Sequence, residues 1–495
     1  MNKQIFSIGC IGWMAALWFC LVSCSESPVQ ITREEPALPG IFPDYAGVTI
    51  PQNIAPLNFK LTEKAEKAQA IFSSEAYTFK VNARKGVFQI PPSAWQKLVR
   101  SSVGQAIEVR ILILRKGEWT GYPPFPLHVA KQPVDSYLAY RLIEPGYELW
   151  NRMGIYQRNL EDYTETAIIE NKMSGYNCMN CHSFCMQNPD QMLFHMRGSY
   201  PSTIRIEGEQ VEKLNTKTPE TLSPLVYPSW HPSGRYIAFS VNKTQQAFHA
   251  NHKNRIEVYD EASDVVVYDK EKQEIVTSPL LSSEHAFETF PTFSPDGRTL
   301  YFCTAVARPM PEEYAEVRYN LCSVSFDPQQ RRFGSTVDTL YNACAVGKSV
   351  SFPRVSPDGK YLLFTLAGYG NFSIWHKDAD LYMLDLAAKS CYPLQAVNSD
   401  DVESYHSWSS NSRWVVFSSR RIDGLYTRPY LAYIDEKGQA AKPFLLPQKD
   451  PDFYHQLMKS YNIPEFITGK VKVSSRKIGK TAKESKGIDL KFSRQ

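Results

Sequence analysis

Four segments of this chain repeat one pattern, and that repeat limits the fold more than any single motif does. Tyr227 to Ser240, Phe290 to Phe302, Phe352 to Phe364 and Tyr405 to Phe417 each read as strand, tight turn, strand. The turn in two of them is Ser-Pro-Asp-Gly, at Ser294–Gly297 and Ser356–Gly359. Proline presets φ there, the aspartate caps its own turn, and glycine is free to take positive φ. Corresponding positions lie roughly 50 to 65 residues apart, the length of a propeller blade. A second hairpin comes next in each unit, with strands in Asp264 to Val276, Leu321 to Phe326, Leu381 to Leu386 and Tyr430 to Gly438. Four strands per unit make a blade. Four blades do not close a comfortable ring, so earlier sequence must contribute. Ser136 to Ile143 and Thr164 to Ile169 read as the first hairpin of another blade and Thr203 to Leu214 as its second, giving five blades with room for a sixth.

The repeat resembles the TolB-like propellers, whose units share the S-P-D-G-[RK] core followed by an alternating strand. The resemblance covers about residues 225 to 450 and implies the fold; such propellers serve both as binding platforms and as parts of enzymes. In prolyl-oligopeptidase relatives a hydrolase domain comes after the propeller. Here little chain remains beyond Pro451 and no G-x-S-x-G elbow occurs, which argues against that enzyme class.

The remaining composition agrees with a strand-and-turn protein: 13% aromatic residues, 28 Tyr and 33 Pro. A net charge of +4 gives no reason to expect nucleic acid. Residues 40–131 alternate at period two in Tyr77 to Val81, Gly86 to Ile90 and Ile107 to Leu114, the pattern of a small β-sandwich-like domain. Helix signals there are confined to Lys64–Ala70 and Ser93–Val99. Trp95, Trp119 and Tyr122 read as core.

Residues 1–23 have the form of an export signal, with Lys3 ahead of an apolar run. Leu21-Val22-Ser23-Cys24 resembles the lipobox of bacterial lipoproteins, which implies lipidation at Cys24, a membrane anchor and a place in the cell envelope, facing the periplasm or the outside. Residues 24–39 then read as a linker.

One further stretch carries chemistry. Cys178-Met-Asn-Cys181-His182 has the C-x-x-C-H spacing of c-type haem attachment: two thiols for the porphyrin vinyls and an adjoining imidazole as proximal iron ligand. Zinc held by Cys178, Cys181 and Cys185, or a disulfide, is the competing reading, but no second C-x-x-C pair supplies a tetrahedral set. Asn188-Pro189-Asp190 reads as a helix start. On that helix Met192, His195 and Met196 would share a face, with His195 the favoured distal ligand, Met192 and Met196 its alternatives, and His231, His285 or His406 more distant ones.

These readings predict a mainly β chain: a β-sandwich-like domain, then a five- or six-bladed TolB-like propeller over 132–450. A short helical insertion at 171–199 would carry one covalent haem c, and a 451–495 extension would end in a disordered basic tail. The resemblance as a whole is to TolB-like lipoproteins of Bacteroidetes type with one haem motif. The function expected is a membrane-anchored monohaem cytochrome exchanging electrons with a redox partner; the alternative is a propeller module that binds protein or glycan.

Overall fold

The structure, a computed structural model, describes residues 29–144, 151–252 and 254–493. Cys24 and the leader lie outside the described residues.

The C-terminal strand Ser460–Ile467 returns to the start of the propeller and pairs antiparallel with Tyr137–Ile143. Gly154–Asn159 and Glu165–Glu170 complete this first blade. The second blade is Cys178–Phe184, Gln191–Arg197, Ser202–Glu207 and Gln210–Asn215. Blades three to six begin at Val226–Trp230, Ala286–Phe293, Ser349–Val355 and Glu403–Trp408. Each of these innermost strands contacts the next, and the sixth contacts Ser460–Ile467, so the ring closes at six blades.

Several expectations need correction. Residues 171–199 are not an insertion: Cys178–Phe184 is the innermost strand of blade two. The expected helix is the strand Gln191–Arg197, so Met192, His195 and Met196 do not share a face. Asn188-Pro189-Asp190 lies instead in the turn between these two strands, where blades four and five carry Ser-Pro-Asp-Gly; the Asn188 amide donates to the Cys185 carbonyl at 2.9 Å and the Asp190 amide to Asn188 Oδ1 at 3.0 Å. Asn and Pro suit a turn as well as a helix start, and period two then decides. Met192, Phe194 and Met196 enter the core between blades one and two, while Leu193 enters that between two and three.

The tail is ordered. Ser474 caps the helix Ser475–Glu484 by accepting from the Lys477 amide, and Ile478 and Ala482 are buried on its inner face. Ile488–Asp489 and Lys491–Ser493 then add parallel strands to the outer edges of blades two and three. The basic residues face solvent, which is why composition alone suggests disorder.

Ahead of the propeller, a seven-stranded and a three-stranded sheet pack with the helix Pro92–Ser101. The stretch given to a linker contributes the edge strand Ile31–Glu34, and part of the Lys64–Ala70 helix signal lies in the strand Lys67–Ser73. Trp95 is fully buried and donates to the Ile54 carbonyl at 2.9 Å. The domain shares one core with blade six through Trp408, Trp414 and Phe417, and Trp414 donates to the Gln132 carbonyl at 3.2 Å.

The repeated turns are built as their residues require. Ser294 Oγ lies 2.5 Å from Asp296 Oδ1 and accepts from the Thr299 amide at 3.0 Å, while Gly297 sits at φ +72°. A Cβ on Gly297 would come within 2.0 Å of His231 Nε2 of the neighbouring blade, so glycine serves both the turn and the blade contact.

Candidate functional site

One non-glycine residue in each innermost strand takes the left-handed conformation: Cys181, Tyr227, Phe290, Phe352, Tyr405 and Ile463, with φ from 49° to 53°. A register shift lies at each of these positions, so each is a β-bulge. The next residue along is His182, Pro228, Pro291, Pro353, His406 or Pro464. The Cys181-His182 step of the haem motif is therefore the blade-two copy of a step made six times, and Tyr405-His406 is its counterpart in blade six.

The bulges aim four aromatic side chains across the channel. Phe290 and Phe352 have ring centroids 4.1 Å apart, Tyr227 and Phe290 4.6 Å, and Phe352 and Tyr405 4.9 Å. This plug divides the channel into two cavities. Residues before the bulge line the first and residues after it line the second.

The first cavity, about 240 Å³, is bordered by Cys178, Asn180, Cys181, Tyr227, Tyr405 and Trp375, and by Arg141, Arg197 and Arg420. Glu144 is the carboxylate among its described lining residues. Arg420 lies 3.3 Å from the Trp375 ring centroid and donates from Nε to the Ile374 carbonyl at 2.9 Å. Burial with no carboxylate in contact lowers its pKa to about 9, distant Asp401 pulling the other way. Arg141 donates to the Met179 carbonyl at 3.1 Å, and Arg197 is exposed. Among the described residues none of the three guanidiniums is in an ion pair.

A roof covers this mouth. The blade-three strands Tyr236–Phe248 and Ile256–Asp269 stay paired as far as Phe248 and Ile256, well beyond the blade. Thr244, Gln246 and Phe248 on one strand, with Ile256 and Val258 on the other, face the cavity at period two. The other face is pinned to blade five. There Glu257 accepts from Tyr369 Oη at 2.6 Å and lies 2.9 Å from His376 Nε2, while Asp260, beside Thr244 on the cavity face, accepts from Asn371 at 2.6 Å. Burial alone would raise the Glu257 pKa, but His376, Tyr369 and Asn254 hold it below the usual range.

The haem donors divide between the two cavities. Cys178 and Cys181 line the first, and burial pushes both thiols up, so they are not activated thiolates. His182 lines the second, beyond the plug. It is 2% exposed, and neither ring nitrogen has a hydrogen-bond partner; the Ile463 carbonyl comes near without meeting hydrogen-bond geometry. Two thiols and an imidazole on opposite sides of the plug do not form one haem site in this strand conformation. His195 is buried between blades two and three, 3.4 Å from Thr203 Oγ1 and away from either cavity. Met192 and Met196 are core. Among the described residues no group of three or more His, Cys, Asp or Glu side chains is placed to hold a metal ion.

The three arginines escape a reading of the sequence because they are far apart in the chain and lie outside the repeated turn. The signal that could find them is blade alignment: Arg141, Arg197 and Arg420 each lie at or near the end of the second strand of their blades, at the first mouth of the channel.

No protein-family model and no curated protein sequence matches the chain. Among solved structures it is similar to the tricorn protease, with 11% identity and a TM-score of 0.35, covering 70% of this chain and 34% of that one. It is also similar to a DUF4784 family protein from Bacteroides caccae (10% identity, TM-score 0.30, covering 73% and 95%). A third similarity is to dipeptidyl peptidase 4 of Porphyromonas gingivalis (10% identity, TM-score 0.31, covering 61% and 46%). The chain spans about a third of the tricorn protease, and likenesses at these scores carry no argument about activity. The class is defined by the sheets themselves: a six-bladed β-propeller behind a β-sandwich-like domain.

The buried groups of the propeller titrate in two opposed senses. Burial lowers His182, His195 and His406 to about 3, so the stability gained by folding them neutral is present above pH 6.5 and lost as pH falls toward 3. Burial raises Glu465 and Glu288 to about 8, so they oppose folding increasingly as pH rises from about 4.5 to 8, the window in which only the unfolded chain ionises. Urea midpoints measured from pH 3 to 9 should peak near about pH 6, and Glu465→Gln should flatten the alkaline limb while leaving the acid limb in place.

Proposed function

We propose that this chain is an exported, lipid-anchored binding protein that captures an anionic ligand in the first mouth of its propeller channel. One observation carries the reading: three guanidiniums, none in an ion pair among the described residues, border a roofed cavity. An arginine fork matches carboxylate and phosphate geometry, and a bound anion would restore the charge that burial disfavours on Arg420. The apolar roof of Phe248, Ile256 and Val258 would cover the ligand and strengthen each charge contact by excluding water. The leader and the Cys24 lipobox support the envelope address.

A second reading keeps the haem and the redox partner, and it is favoured by the two thiols facing the same cavity. It requires the innermost strand of blade two to rearrange so that His182 passes the plug.

Calorimetric titration of the full chain with citrate, inorganic phosphate and glucose separates anion capture from neutral binding. Citrate and phosphate should bind and glucose should not, and affinity should fall with added salt. Arg141→Met and Arg420→Met should each weaken citrate binding by about 10-fold or more, the value of a charge-assisted contact. Equal affinity in both variants, or no citrate binding, would contradict the proposal. The haem reading is decided separately by a reduced-minus-oxidised spectrum of protein made with the haem-attachment machinery. The strand conformation predicts no covalent haem, and a c-type spectrum would establish the second reading.

A further inference from the structure

The second mouth of the channel is a different kind of site. Two residues past each bulge the innermost strands present Ser183, Ser229, Thr292, Arg354, Ser407 and Glu465, and all six line the second cavity, of about 120 Å³. Four blades fill this position with a small hydroxyl, so the fold itself asks for nothing larger. Blades five and one depart from that rule with a guanidinium and a carboxyl group. Each is oriented by its surroundings. Glu465 Oε1 accepts from the Phe184 amide at 3.0 Å. Arg354 Nη1 donates to the Pro353 carbonyl at 3.2 Å, and the Arg354 carbonyl accepts from Trp408 Nε1 at 3.0 Å.

The two groups influence each other but do not meet. Among the described residues no ion pair joins Arg354 and Glu465, although they share the channel wall. His182 and His406, each 2% exposed, line the same space. Both nitrogens of His182 and Nδ1 of His406 lack a partner, whereas Nε2 of His406 lies 3.0 Å from the Leu363 carbonyl. Burial keeps both rings neutral, so they offer hydrogen bonds without adding charge. A buried polar group without a partner is costly, and here three such atoms, a guanidinium and a carboxyl group border one small cavity.

We propose that this second mouth binds a small zwitterion of the α-amino-acid type, its carboxylate on Arg354 and its ammonium on Glu465. The charge pattern selects the class. An anion alone would satisfy Arg354 but leave the Glu465 carboxyl, protonated in the empty site, without a charged partner, a cation alone would leave Arg354 unpaired, and a neutral molecule would leave both unpaired. A ligand with both charges close together pairs with both groups, its ammonium drawing Glu465 into the carboxylate form as the proton leaves to solvent.

The test is calorimetric titration of the full chain with glycine and serine as zwitterions, N-acetylglycine as the anion without an ammonium, and ethylamine as the cation without a carboxylate. Glycine or serine should bind at least about 10-fold more tightly than either single-charge probe. Arg354→Met and Glu465→Gln should each lose that preference by a similar factor, while Arg141→Met, which disables the first mouth, should leave glycine affinity unchanged. N-acetylglycine binding as tightly as glycine would make this an anion site, and ethylamine doing so a cation site; either overturns the proposal. So does the absence of binding by both amino acids at about 10 mM. The probe comparison uses the unaltered chain, so it decides even if a variant fails to fold. Citrate capture at the first mouth stands or falls separately.

Discussion

Closure of the ring rests on one strand pairing. Ser460–Ile467 docks on Tyr137–Ile143 across more than 300 residues of chain, and without it blade one would lack its innermost strand and blade six its neighbour. The pairing is reinforced by chemistry that the chain ends supply. Thr427 Oγ1 donates to the Tyr461 carbonyl at 2.6 Å, and Ser407 Oγ to the Pro464 carbonyl at 2.9 Å, tying the returning strand into blade six. The ordered tail then extends blades two and three at their outer edges, covering backbone groups that an open edge would leave unpaired. A closed ring of this kind arrays its innermost strands around one axis, and every functional feature depends on that geometry.

Six bulges at the same height turn the axis into two compartments. A left-handed non-glycine residue costs on the order of 1 kcal/mol, and the chain accepts this six times to aim side chains inward. The aromatic ones form the plug. Strand residues ahead of the bulges build an arginine-lined mouth under a long hairpin, and those beyond them build a small polar chamber that holds one guanidinium and one carboxyl group. Cys181 and His182 occupy this frame as blade residues, which accounts for a C-x-x-C-H spacing whose thiols and imidazole end up on opposite sides.

The propeller is legible because Ser-Pro-Asp-Gly turns and alternating strands are local signals, repeated often enough to fix both element type and period. Blade two is not, because its turn, Asn188-Pro189-Asp190, uses residues that also start helices, and because a cofactor motif overlies the repeat beneath it. Aligning Cys181-His182-Ser183 with Tyr405-His406-Ser407 resolves the ambiguity from sequence alone. The ordered tail is hidden for a different reason: Val471, Val473, Ile478 and Leu490 are few among many lysines, and only the blade edges they cover give them a partner. The charges facing the channel, Arg141, Arg197, Arg354, Arg420 and Glu465, come from separate stretches of chain, and their convergence is a property of the ring rather than of any local pattern.

The central claim is that Cys178–Phe184 is an innermost propeller strand in the working protein. Amide hydrogen exchange across the chain tests it most directly, because innermost strands open only with the whole ring. Peptides covering 178–184 should exchange as slowly as those covering 226–230 and 349–355. Fast exchange of 178–184 beside slow exchange of the other two would show that this stretch leaves the blade, and would contradict the account.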